Sequence, residues 1–120
     1  MAWDIEVVQD CAVVSMKTNK VNVQNDAFFG DLHATFDGLE KDFRALPVVL
    51  TGQGDVFSAG IDFRYNFEVF GSGSLDKIHD WYTAYRATNL RLFNYPRPTV
   101  AAINGHAIAG GLITALDCKA

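Results

Sequence analysis

The sequence contains 120 residues, of which 49% are hydrophobic and 20% are charged. This composition is typical of one globular domain with a modest core and excludes an intrinsically disordered chain. Ten basic residues against fourteen acidic ones give a formal net charge of -4, so the sequence offers no broad basic surface for nucleic acid or for anionic lipid.

The N-terminal segment and the two cysteines favour a cytoplasmic protein. Residues 1–6 include acidic side chains where a secretory signal needs positive charge. No apolar run approaches the roughly 20 residues that a membrane-spanning helix requires. Cys11 and Cys118 lie in apolar stretches without the spacing of a metal site. We therefore expect two buried free thiols in a reducing compartment.

A β-hairpin and a long helix are the first predicted elements. Residues 5–8 and 12–16 are β-branched runs joined by Gln9-Asp10, which favours a hairpin. From Asn25, a suitable N-cap, apolar residues recur at spacings of three and four and predict one narrow helical face. That face consists of Phe28, Leu32, Phe36, Leu39 and Phe43.

The middle of the sequence predicts an α/β layout. Pro47 is expected to end the first helix, and the apolar run at residues 48–50 predicts a strand covered on both faces. Residues 52–55 predict a turn. The small residues around Gly60 indicate a close approach of backbone to another group.

A second long helix is predicted from Ser74, its N-cap, to about Tyr95. Its apolar side is expected to contain Leu75, Ile78, Tyr82, Tyr85 and Leu92. Residues 99–103 then predict a short strand and Asn104-Gly105 a turn.

Gly110-Gly111 opens a last helix, whose visible part is expected at residues 112–120. The sequence is thus predicted to stop inside that helix. Residues 1–120 are interpreted as one incomplete domain without internal repeats.

Several common catalytic motifs are incomplete in this sequence. Residues 52–57 lack the third glycine of a dinucleotide-binding loop, and no P-loop pattern occurs. A serine hydrolase would have to bring Ser58, His106 and an aspartate together by tertiary proximity alone, because the nucleophile-elbow pattern is missing. His33, His79 and His106 are isolated, which favours surface positions over metal ligation.

Two segments carry a family resemblance. Residues 48–62 (VVLTGQGDVFSAGID) and 97–111 (RPTVAAINGHAIAGG) resemble the segments that build the acyl-CoA site of the crotonase superfamily, which includes enoyl-CoA hydratases and isomerases. A weaker similarity at residues 19–23 (NKVNV) resembles the segment that lines the CoA channel. The resemblance implies an α/β crotonase spiral of β-β-α units, of which this sequence would hold the first part.

The same resemblance implies the site residues. The backbone amides of Ile61 and Gly110 would form an oxyanion hole for a thioester enolate, with the helix dipole adding to the second donor. The implied substrate-binding residues are Lys20, Val21, Val23, Ser58, Ala59, Gly60, Asp62, Phe63, Gly105, His106, Gly111 and Ile113. Taken alone, each glycine could simply permit a tight turn, and Asp62 could be a structural hydrogen-bond acceptor.

Ile113 favours isomerisation over hydration. Hydratases of the family carry a glutamate at this position, whereas isoleucine cannot transfer a proton. The Δ3,Δ2-enoyl-CoA isomerases resemble this sequence better, because they have an aliphatic residue here and use one glutamate further on, which would lie beyond Ala120. Lys119 departs from the family pattern, where aspartate is usual.

The favoured hypothesis is therefore an acyl-CoA-binding isomerase with no cofactor other than the coenzyme A of its substrate. The resemblance implies a homotrimer or hexamer when full length, with no nucleic-acid or membrane partner. A non-catalytic acyl-CoA-binding homologue and a thioester or carbon–carbon hydrolase on the same fold stay open. Residues 1–120 alone are expected to be weakly active or inactive.

Overall fold

Residues 2–119, which the computed structural model describes, form eight strands and four helices. The strands are β1 (Asp4–Val8), β2 (Cys11–Ser15), β3 (Val23–Gln24), β4 (Val48–Thr51), β5 (Val56–Ser58), β6 (Gly60–Ile61), β7 (Thr99–Ala102) and β8 (His106–Ala107). The helices are α1 (Asp26–Asp42), α2 (Phe63–Gly71), α3 (Leu75–Phe93) and α4 (Gly110–Asp117). The predicted α/β class is confirmed.

A four-stranded sheet in the order β1-β2-β4-β7 carries the fold. Strands β1 and β2 are antiparallel, and the remaining neighbours are parallel. Gln9 and Asp10 join the hairpin with positive φ angles of 49° and 63°, as a tight right-twisted hairpin turn requires. The predicted hairpin is confirmed with strand ends shifted by one residue.

Helix α1 forms because its N-terminus is capped and its apolar residues share one face. The Phe28 amide donates to Asn25 Oδ1 at 3.1 Å, which satisfies an amide that has no acceptor within the helix. Phe28, Leu32, Phe36 and Leu39 are all buried in a core shared with the sheet. This predicted apolar face is confirmed up to Leu39.

The predicted end of α1 at Pro47 is wrong. The helix stops at Asp42, and Phe43, the C-cap, leaves helical geometry while its amide still donates to Leu39 O at 2.9 Å. Phe43 is only partly buried against the core. Pro47 follows in the connection to β4, where its carbonyl accepts the Ala12 amide.

The predicted apolar side of α3 is also wrong in part. Leu75 is 81% exposed and Tyr82 is 56% exposed. Trp81, Thr88 and Leu92 are the residues that α3 buries. Ser74 caps the helix as predicted, since its hydroxyl accepts the Lys77 amide. Packing against neighbouring elements decides which side of α3 is buried. The periodicity of an aromatic-rich helix does not specify that side.

Five elements were not predicted, and one ends early. Helix α2 and the short strands β3, β5, β6 and β8 lie in segments for which no helix or strand was predicted. Helix α4 stops at Asp117, because Cys118 is extended and the Lys119 amide donates to Thr99 Oγ1 at 3.0 Å. The expectation that the sequence stops inside this helix is therefore wrong, and Ala120 lies outside the described residues.

The two cysteines are free thiols, but both are partly rather than fully buried. Desolvation raises the pKa of the Cys118 thiol to about 11, so this group stays protonated at neutral pH. Within residues 2–119, no helix is both long and apolar enough to cross a bilayer.

Candidate active site

The loop before α4 and strand β6 bring two backbone amides together. Gly60 has φ of +87°, and a Cβ there would lie 2.5 Å from Ile108 O and 3.1 Å from Gly110 N. A Cβ on Gly110 would lie 3.4 Å from Ile61 N. The amides of Ile61 and Gly110 are therefore neighbours, and the close approach at Gly60 depends on glycine, because a Cβ there would collide with Ile108 O.

Strand pairing directs the Ile61 amide away from β3. Strands β3 and β6 are parallel, and the Asp62 amide donates to Gln24 O at 3.1 Å. Because successive N–H groups of an extended strand point to opposite sides, the preceding amide of Ile61 points away from Gln24. It faces the side from which the start of α4 approaches.

The N-terminus of α4 lacks the side-chain cap found on the other three helices of the described residues. Ala109 precedes the helix with φ of 48° and ψ of -109°, a conformation that is strained for a residue with a side chain. The Gly111 amide donates to Ile108 O at 2.8 Å. Gly110 begins the helix, so its amide has no acceptor within the helix and lies at the positive end of the dipole.

Two further glycines let separate segments pack closely. A Cβ on Gly111 would collide with the carbonyl of Ser58, and one on Gly105 would collide with the carbonyl of Asp55. Ser58 is fully buried, and its hydroxyl donates to Asn22 O at 2.7 Å. These contacts hold α4 and β8 against β5, so Gly105 and Gly111 have a packing role.

The residues predicted at the CoA entrance lie together at the surface. Lys20 and Val21 line an open groove of about 530 Å³ with residues 53–56. Val21 O accepts the Ala59 amide at 2.9 Å, which ties the groove to the segment that leads to Ile61. Val23 pairs with Gly60 between β3 and β6.

His106 is exposed at the start of β8, where its amide donates to Asp55 O at 2.9 Å. The strand pairing places His106 beside Val56 of β5, one of the residues that line the groove. Its imidazole is thus carried by a strand next to the predicted CoA entrance.

Asp62 has a structural role in α2. One carboxylate oxygen accepts the amides of Arg64 and Tyr65 at 3.1 and 3.4 Å, and the other accepts the Asn25 side-chain amide at 3.3 Å. The carboxylate therefore caps α2 and links it to the start of α1. The hydrogen-bond-acceptor role weighed for Asp62 is present, while contact with substrate stays a prediction.

Apolar side chains are exposed on α2, which follows β6, and on α4, which begins at Gly110. Phe63 is 74% exposed and lines a hollow of about 190 Å³ with Asn66, Phe67 and Phe70. Ile113 lies in the first half of α4 and is 45% exposed. Its side chain supplies apolar surface and no proton-transfer group at this end of the helix.

Titratable groups with shifted pKa values lie away from the amide pair or are engaged elsewhere. Burial, followed by a 2.7 Å hydrogen bond to Asp26, raises the pKa of Tyr65 to about 12. Burial raises the pKa of Asp117 to about 6, but Asp117 lies at the opposite end of α4 from Gly110. Within residues 2–119, no cluster of three His, Cys, Asp or Glu side chains could hold a metal ion.

Gln24 and Thr114 lie behind the amide pair and were missed by sequence reasoning. Both are buried, and the Gln24 side-chain amide donates to Thr114 Oγ1 at 2.8 Å and to Gly110 O at 3.2 Å. A polar residue in a short strand and another in an apolar helix give no indication of burial by themselves. Only the contact between them, 90 residues apart in sequence, identifies the pair.

Comparison with known proteins gives one consistent family. Residues 6–119 match the family model described as enoyl-CoA hydratase/isomerase. A putative enoyl-CoA hydratase of Thermus thermophilus is 43% identical over 82 residues, which is 68% of this chain and 32% of that protein. The human mitochondrial Delta(3,5)-Delta(2,4)-dienoyl-CoA isomerase is 30% identical and is matched over 86% of this chain and 34% of its own length.

Solved structures agree with the fold. An enoyl-CoA hydratase/isomerase from Xanthobacter autotrophicus Py2 superposes with a TM-score of 0.84 at 25% identity, covering 99% of this chain and 44% of that one. The chain thus spans about a third of these two curated relatives and under half of this solved structure. The expected crotonase fold is confirmed for the part that the chain covers.

Proposed function

The chain belongs to the enoyl-CoA hydratase/isomerase family, and on this premise we propose that it supplies the oxyanion hole of an enoyl-CoA double-bond isomerase. The observation that carries the proposal is the adjacency of the Ile61 and Gly110 amides. Two neighbouring N–H donors suit the oxygen of a thioester when it gains negative charge as an enolate.

The proposed reaction moves a double bond from C3–C4 to C2–C3 of an acyl-CoA. A base removes a proton from C2, the electron pair passes to the thioester oxygen, and the two amides stabilise that charge. When the enolate collapses, the proton is returned at C4 and a C2–C3 double bond forms. We expect the base to be a glutamate that follows residue 120, because the resemblance assigns that role to no residue between 1 and 120.

Isomerisation is favoured over hydration by the side chain of Ile113. Hydration adds water across C2–C3 and needs groups that position the water and transfer its proton. Ile113, in the first half of α4, offers neither function and is partly exposed apolar surface. One base is sufficient for a proton shift between C2 and C4, so this site suits the simpler reaction.

The groove lined by Lys20 and Val21 is proposed to take the CoA portion of the substrate. An ammonium group at its rim can pair with a phosphate, which the overall acidic charge of the chain does not prevent. The exposed phenylalanines of α2, next to β6 along the chain, would contact the acyl chain.

The test compares two substitutions at Gly110 in the polypeptide encoded by the complete gene. Gly110→Pro removes the amide hydrogen at a helix position that tolerates proline, whereas Gly110→Ala adds a Cβ and keeps the hydrogen. We expect kcat with a 3-enoyl-CoA to fall about 10² to 10³-fold further in the proline variant. Thermal unfolding of both variants separates this loss from misfolding.

Other outcomes would change the assignment. If the unaltered polypeptide hydrates a 2-enoyl-CoA, the proposed activity would change from isomerisation to hydration. Release of free thiol would indicate a thioester hydrolase, and acyl-CoA binding without turnover a non-catalytic homologue. Equal activity of the two Gly110 variants at equal stability would remove the amide from the mechanism.

A further inference from the structure

A buried polar cluster lies directly behind the two amides. Gln24 is 2% exposed, Thr114 is 3% exposed and Ser58 is fully buried. The Gln24 Nε2 group lies 2.8 Å from Thr114 Oγ1, 3.2 Å from Gly110 O and 3.3 Å from Ser58 Oγ. Such a cluster in an interior stays stable only when its groups are hydrogen-bonded.

The hydrogen bonds fix the orientation of the Gln24 side chain. Gly110 O can only accept, and the Thr114 hydroxyl donates its hydrogen to the same carbonyl at 3.1 Å. The Gln24 group that faces both oxygens must therefore be the NH₂ group. Its oxygen, Oε1, then lies 2.9 Å from the point where a Cβ on Gly110 would be.

Gln24 also controls the strand that carries the other amide. Its main-chain carbonyl accepts the Asp62 amide at 3.1 Å, and Gln24 pairs with Ile61 in the β3–β6 ladder. One buried residue thus contacts β6 through its backbone and the start of α4 through its side chain. Gln24 therefore links the two elements that contain the donor amides.

We propose that Gln24 and Thr114 are positioning residues that set the distance and direction of the Ile61 and Gly110 amides. This inference rests on the proposed oxyanion-hole function and adds the two residues that hold the donor amides in position. Hydrogen bonds at this place are directional, so they define the rotation of α4 about its axis. An apolar side chain of the same size would fill the space without defining that rotation.

The experiment uses shape-conserving substitutions that remove only the polar atoms. Gln24→Met and Thr114→Val are each made in the polypeptide encoded by the complete gene. Thr88→Val is the matched control, because Thr88 is also buried and bonds the carbonyl four residues earlier, but in α3. All variants are first compared by thermal unfolding.

The readout is the carbonyl stretch of a bound enoyl-CoA labelled with ¹³C at the thioester carbon. Hydrogen bonds from an oxyanion hole lower this frequency, and a merely structural residue would not alter the shift. We expect the two variants to lose at least half of the shift while KM changes little. Their kcat should fall by up to about 10²-fold, the effect of a misplacement of about 1 Å, and Thr88→Val should keep both values.

The outcomes separate this inference from the proposed function. In one outcome, the unaltered polypeptide lowers the carbonyl frequency in full, and Gln24→Met and Thr114→Val lower it by the same amount. That result would overturn the positioning role and leave the oxyanion hole intact. No shift in the unaltered polypeptide would overturn both. Equal losses in Thr88→Val would assign the effect to general stability and overturn the positioning role.

Discussion

Helices α1 and α4 each follow a short strand that belongs to a parallel pair, yet their N-termini are capped differently. Asn25 closes α1 by accepting the Phe28 amide. Helix α4 follows Ala109, which gives no side-chain cap and has a positive φ. An N-terminus closed by its own side chain stabilises the helix, whereas an open one keeps its first amide available for a ligand.

The same two helices differ in burial. Phe36 and Leu39 of α1 are fully buried, but Leu112 and Leu116 of α4 are 46% and 71% exposed. Apolar content in the sequence is therefore a poor guide to where stability resides. Helix α1 contributes large aromatic and aliphatic side chains to the core, whereas α4 contributes Ala115, begins at Gly110 and presents its leucines as apolar surface.

The largest effect is expected from truncating the core face of α1. Phe36 is fully buried and packs edge-to-face on Tyr95 with ring centroids 5.1 Å apart. Phe36→Ala should lower the free energy of unfolding by about 3 to 5 kcal/mol, since a cavity adds to the lost burial. Leu116→Ala in α4 should change it by less than about 0.5 kcal/mol.

Urea denaturation of both variants measures this contrast. If Leu116→Ala proves as costly as Phe36→Ala, the exposed face of α4 must be covered in solution, and the comparison of the two helices fails. A small loss for Phe36→Ala would indicate that the core can collapse around the missing ring.

A smaller effect is expected from opening the N-terminus of α1. Asn25→Ala removes the cap and also the 3.3 Å hydrogen bond to Asp62. The free energy of unfolding should fall by about 1 kcal/mol, the usual value of an N-cap. Asn25→Ser keeps a capping oxygen and should recover most of the lost free energy of unfolding. The shift in the urea midpoint of unfolding measures both effects. Equal losses in both variants would mean that the cap contributes nothing.

An effect no larger than that of the N-cap concerns the C-terminal end of α4, and it depends on pH. Burial raises the pKa of Asp117 from 3.8 to about 6, so the folded chain holds this proton more tightly than the unfolded chain. The stabilisation is complete below the unfolded pKa and is lost as pH rises through the folded pKa. A carboxylate near a helix C-terminus is also opposed by the dipole.

Asp117→Asn should therefore be more stable than the parent at pH 7 by on the order of 1 kcal/mol, after allowance for partial exposure. The difference should vanish near pH 3, where both forms are neutral. Thermal unfolding across this pH range is the measurement. Asp42→Asn, at the exposed end of α1, controls for the removal of one charge near a helix end. A difference that does not change with pH would rule out titration of Asp117 as its cause.

The sequence predicted most of the regular elements because their determinants are local. Asn25, the period of the α1 face and the Gln9-Asp10 turn act within a few residues, so hairpin and helix followed from spacing. The prediction of the buried side of α3 was wrong in part. Aromatic residues lie on several sides of that helix, and only the packing of neighbouring elements decides which of them are buried. Helix α2 was not predicted, although Asp62 caps it.

For the site, the motifs around Gly60 and Gly110 indicated by resemblance the two amides of the proposed oxyanion hole, whose role in catalysis stays a prediction. Their adjacency needed the tertiary structure, because it depends on a parallel β3–β6 pair and on close approaches that only glycine permits. The polar pair of Gln24 and Thr114 could not be predicted at all. A sequence specifies which polar groups a chain possesses, whereas the folded backbone decides which distant groups meet and must be hydrogen-bonded to one another.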